Sequence, residues 1–66
     1  MTFAEFARQK RLEAGLSQQQ CSDALGDSHR STFLRKETGG SEWSLKDLQK
    51  FASLLGVKAS ELLREF

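Results

Sequence analysis

Five glycines, at four places, break this proline-free chain into short blocks, and nearly every block opens with a helix-starting signal. Thr2-Phe3-Ala4-Glu5 reads as a capping box, in which Thr2 and Glu5 satisfy each other's free backbone donors. It opens a helix that runs to Ala14 and stops at Gly15. Ser17-Gln18-Gln19-Gln20 repeats the device for a helix of about two turns, ending at Leu25 before Gly26. Asp27 or Ser28 caps a third helix to about Glu37, closed by Gly39. Ser44-Leu45-Lys46-Asp47 caps a fourth, with Leu45, Leu48, Phe51, Ala52 and Leu55 at helical spacing before Gly56. A last short helix, about Ser60 to Phe66, carries Leu62, Leu63 and Phe66. No stretch alternates as a strand would. The expectation is an all-α domain of five short helices over residues 1–66, without repeats, low-complexity segments or linkers.

A chain of 66 residues has a small core and needs a staple, a partner or very regular helix packing. Cys21 is the only cysteine, so no internal disulfide forms and no cysteine–histidine set exists for zinc. Helix packing remains, with dimerisation as a further support. Apolar runs such as Leu54–Leu55 are too short for a membrane span, and no signal peptide is recognisable. A lone thiol without an export signal fits the cytoplasm.

The second and third helices are separated by a turn of only a few residues at Gly26, too tight for antiparallel packing of long helices. Such a turn gives the crossed geometry of a helix-turn-helix, here about 17–37 with its second helix about 28–37. Cys21 and Leu25 lie four apart and face inward, and small Ser22 marks the close approach. Cys21 reads as a buried, inert thiol.

The net charge of +1 says little, but its distribution says more. Residues 28–36 hold Arg30, Arg35, Lys36 and His29 with no acid, while Asp23, Glu61 and Glu65 lie elsewhere. Such a patch attracts phosphates within a Debye length of roughly 8–10 Å; a solvated helix face is the other reading of the same charges. Adjacent Phe33 and Leu34 point about 100° apart, so Phe33 takes the core and Leu34 lies beside Arg30 near the outward side. There Leu34 either packs on thymine methyls or is partly buried at the edge of the domain. Arg30 offers a fork suited to guanine, Ser31 and Thr32 can donate to bases or phosphates, and His29 reads as a surface residue able to touch DNA. Arg35, Lys36 and Ser41 read as phosphate contacts, and Trp43 as core or cover.

The segments "GLSQQQCSDALG", "RSTFLRKETG" and "SLKDLQKFASLLGV" together resemble the Cro/CI-type helix-turn-helix family, also called XRE-like or lambda-repressor-like, from about Phe6 to Leu63. The resemblance implies a five-helix domain that binds double-stranded operator DNA as a homodimer and regulates transcription. It places Arg30, Ser31 and Leu34 at base-reading positions and Gln18 at a phosphate, with Gln19 and Ser28 as neighbouring phosphate contacts. It also implies a partly buried ion pair, Arg11 with Glu37, tying the first helix to the end of the third. The chain departs from the family pattern in three places. The segment from Gly26 to Glu37 is one residue longer, Asp27 or Ser28 replaces the usual apolar residue after the turn, and Lys36 stands where an apolar residue is common.

The leading expectation is therefore a small dimeric repressor of phage or bacterial origin, acting on a palindromic operator and controlling its own promoter. The alternative is an antitoxin or another protein-interaction module on the same fold. An enzyme is the least favoured class: there is one histidine, no paired carboxylates and no phosphate-cradling glycine loop. No cofactor or metal is expected. Leu62, Leu63 and Phe66 either close the fold or form an isologous dimer patch.

Overall fold

The computed structural model describes residues 1–66 as five helices in the order α1 (Phe3–Glu13), α2 (Gln18–Leu25), α3 (Arg30–Thr38), α4 (Leu45–Leu54) and α5 (Ala59–Glu65). Three of the starts are closed capping boxes. The Glu5 amide donates to Thr2 Oγ1 at 3.2 Å and the Thr2 amide to Glu5 Oε1 at 3.0 Å. Ser17 with Gln20, and Ser44 with Asp47, form the same reciprocal pairs. Each box satisfies two of the donors that a helix start leaves free.

The start of α3 differs. The helix begins at Arg30 with His29 as N-cap, and no side chain caps it. Neither Asp27 nor Ser28 serves as the expected cap, because the Asp27 carboxylate is turned to Lys36 Nζ, 3.0 Å away. Helix α3 therefore starts at Arg30, two residues later than the sequence suggests. The α2–α3 turn depends on Gly26, whose φ of 74° is costly for any residue with a Cβ. The Asp27 amide donates to Ser22 O, and fully buried Ser22 donates through Oγ to His29 O, so the turn is tied back at both ends.

The helices share one core of Phe6, Ala7, Cys21, Leu25, Phe33, Phe51, Ala52 and Leu62. α3 packs on α1 and α2, while α4 packs on α2 and α5. Phe33 and Phe51 meet at the centre, and Trp43 closes them over, its ring 5.3 Å from Phe51 and 6.0 Å from Phe33. Each buried aromatic contributes roughly 1.5–3 kcal/mol.

One expectation about the C-terminus is corrected. Leu62 is fully buried, because α5 lies on α4 and turns this residue into the core. It closes the fold and is not part of a dimer patch. Leu63 and Phe66 remain about half exposed, although the Phe66 ring also packs against Phe3 and Phe6 at 5.3 Å each.

Candidate nucleic-acid interface

An α-helix turns about 100° per residue, so α3 divides cleanly into two arcs. Arg30, Ser31, Leu34, Arg35 and Thr38 fall within roughly 140° of one another, and all are exposed. Thr32, Phe33, Lys36 and Glu37 occupy the other arc, and all except half-buried Thr32 are buried. Phe33 is 0% exposed and its neighbour Leu34 is 42% exposed. The outward arc therefore carries two arginines, a serine and a leucine at one-turn spacing. His29 and Ser28, also exposed, extend it beyond the helix start.

The inward arc fixes how that outward arc is presented. Glu37 is held from two sides. Arg11 Nε on α1 donates to Glu37 Oε1, and Gln18 Nε2 at the start of α2 donates to Glu37 Oε2 at 3.0 Å. Arg11 Nη1 also donates to Leu16 O at 2.8 Å, closing the turn between α1 and α2. The Arg11 and Glu37 side chains are only 9% and 1% exposed, so the pair sits in a largely dry environment.

Lys36 does not reach outward as a phosphate ligand would. Its ammonium is buried and lies 3.0 Å from Asp27 Oδ1 and 3.1 Å from Asp47 Oδ1. The physical reason is its angle on α3, which points it between the α2–α3 turn and the start of α4. Burial alone lowers the basicity of Lys36, but hydrogen bonds and charge from Asp27 and Asp47 outweigh this and hold its pKa above the ordinary lysine value. Burial likewise works against the Asp47 carboxylate; the Ser44 amide and Lys36 reverse it and keep Asp47 below the usual carboxylate range. The free cations of α3 are thus Arg30 and Arg35.

The glutamines of α2 are also engaged within the protein: Gln18 with Glu37, and Gln19 with Asp23 one turn along. Ser41 is half-buried in the loop after α3, its amide donating to Arg35 O at 3.3 Å. Trp43 was legible as core cover, but its polar end does more, since Nε1 donates to Lys36 O at 3.1 Å. The Asp27–Lys36–Asp47 cluster was missed by sequence reasoning. Its only signal was a lysine at an inward angle of α3.

Two helices crossed at a tight glycine turn, the second with a polar, basic outward arc, define a helix-turn-helix domain. The chain matches the helix-turn-helix family model of the XRE/Cro-CI type over residues 8–62 and belongs to that family. No curated protein matches the chain. Membership makes DNA binding in transcription regulation the function class of this fold. No helix is long and apolar enough to cross a membrane.

Proposed function

We propose that this protein is a sequence-specific transcriptional repressor that binds a palindromic operator as a homodimer in the cytoplasm. One observation carries the reading: the exposed arc of α3 presents Arg30, Ser31 and Leu34 together, while Phe33 and Glu37 face inward. Arg30 donates a bidentate fork to guanine, Leu34 packs on a thymine methyl, and Ser31 and His29 contact bases at the helix start. Arg35, Ser28, Thr32 and Ser41 bind phosphates. Gln18 and Gln19 do so from α2, once their amide groups turn from Glu37 and Asp23. The uncapped amides at the start of α3 add donors for an anion.

The charge of α3 supports dimerisation. With Lys36 neutralised inside the protein, the α3 of each protomer offers only Arg30 and Arg35 to the backbone, and affinity built on phosphate neutralisation scales with the number of such contacts. Two protomers on half-sites roughly 34 Å apart double that number. Half-exposed Leu63 and Phe66 supply the apolar contact between copies. The reading is tested by footprinting on the DNA flanking the protein's own coding region at several salt concentrations. A two-fold-symmetric footprint whose affinity falls steeply with salt is expected. Tight salt-independent association with a co-purifying protein, and no footprint, would instead favour the protein-interaction module.

A further inference from the structure

Lys36 is the one cation of α3 that the outward arc does not use, and the family pattern commonly has an apolar residue there. Its ammonium lies between carboxylates from two other segments: Asp27 in the α2–α3 turn, bonded at 3.0 and 3.3 Å, and Asp47 in the first turn of α4, at 3.1 Å. Asp47 is also the acceptor of the Ser44 capping box, so the cluster is continuous with the start of α4. The backbone of Lys36 is held too, because its carbonyl accepts from Trp43 Nε1. Lys50 on α4 reaches the same turn, its Nζ 3.5 Å from Leu25 O. One residue thus joins the turn that aims α3, α3 itself, the loop after it and α4.

We propose that Lys36 is a positioning residue for DNA binding: its bridge between Asp27 and Asp47 sets the placement of α3 against the α4 start, and its ammonium touches no phosphate. Asp27 explains why a salt cluster stands where an apolar contact would serve. The Asp27 carboxylate, in the turn leading to α3, is only 10% exposed, and Lys36 neutralises it from the protein side. This inference rests on the DNA-binding reading, so its test includes a measurement made without DNA.

Affinity for a random-sequence 30-base-pair duplex is measured against salt for the parent, Lys36→Met, Lys36→Met/Asp27→Asn/Asp47→Asn and Arg35→Gln, each corrected for its folded fraction. Removing a phosphate ligand lowers the slope of log affinity against log salt by about 0.9 for each protomer bound, so by about twice that for a dimer. Arg35→Gln is expected to show that drop. Lys36→Met is expected to bind about tenfold more weakly at every salt concentration, a conformational coupling of ordinary size, with its slope unchanged. The triple variant, which carries no buried unpaired carboxylate, regains most of the affinity. A slope reduced by about 0.9 per protomer in both Lys36 variants makes Lys36 a phosphate ligand and overturns the proposal. Unchanged affinity in folded Lys36→Met reduces the cluster to a stability element and overturns it too. In free protein, exchange of the Trp43 indole N–H is expected to quicken in Lys36→Met relative to global opening and to slow again in the triple variant. If the parent binds no duplex, the functional reading fails, and the indole exchange alone decides the clamp: an unchanged rate refutes it.

Discussion

Replacing Arg11 by methionine removes one half of the buried pair while keeping a similar apolar stem in place. Glu37, only 1% exposed, then keeps the single bond from Gln18, and Leu16 O loses its donor. Breaking a buried ion pair from one side costs about 3–5 kcal/mol, because the remaining charge stays desolvated and unpaired. A folded chain of 66 residues is stable by roughly 3–10 kcal/mol, so the variant stands near the unfolding threshold. Its midpoint falls by at least about 12 °C at 4 °C or more per kcal/mol. Arg11→Met/Glu37→Met removes both charges, and a loss of about 1–2 kcal/mol is expected, since only the partners of single hydrogen bonds are orphaned. Urea unfolding followed by circular dichroism at neutral pH measures both. The double variant must be more stable than Arg11→Met. If Arg11→Met costs less than about 1 kcal/mol, or the two single losses simply add, Glu37 is not the buried anchor described above.

Leu34→Ala is expected to change stability by no more than about 0.5 kcal/mol, as an exposed substitution, while weakening operator binding; a loss comparable to that of a core leucine would place Leu34 inside. Arg30→Ala should lose discrimination at one base pair, seen as a relaxed position in selected sites, with equal preference in parent and variant refuting the readout assignment. The lowered pKa of Asp47 contributes stability that is present above its unfolded value and is lost as pH falls through the folded one, so Asp47→Asn should flatten the decline in melting temperature below about pH 4. The raised pKa of Lys36 works in the opposite direction: its contribution is complete below the ordinary lysine value and is lost at higher pH, which Lys36→Met should abolish. Burial pushes the Cys21 thiol up to about 11, so a thiol reagent at neutral pH should label it only at the rate of global opening; rapid labelling of native protein would contradict its position in the core.

Features with a local cause were legible before any coordinates. A capping box is settled within four residues, and those at Thr2, Ser17 and Ser44 needed nothing from the rest of the chain. The opposite fates of Phe33 and Leu34 follow from the angle between neighbours on a helix. The start of α3 was not local in this sense. Asp27 and Ser28 are both good caps by residue type, and what decided against Asp27 was a lysine nine positions away that competes for the same carboxylate. The adjacent leucines at 62 and 63 show the same limit, since only contact with α4 decides which one enters the core.

The misreading of Lys36 has the most consequence for function. Basic residues were counted along the sequence as one patch, whereas phosphates respond to charge that is both exposed and unpaired. The helix angle that turns Phe33 and Glu37 inward also turns Lys36 inward, so the inward arc was available from periodicity alone. What periodicity lacked was a reason to bury an ammonium: two carboxylates, nine and eleven positions away, that lie outside α3. Once Asp27 and Asp47 are in place, burial becomes the favoured state of Lys36, and the recognition surface narrows to Arg30 and Arg35 with the polar and apolar side chains between them. Under the proposed function, a surface with so few free charges discriminates by the fit of Arg30, Ser31 and Leu34 to base edges more than by general attraction to the backbone. That fit in turn depends on how rigidly the buried side of α3 is held.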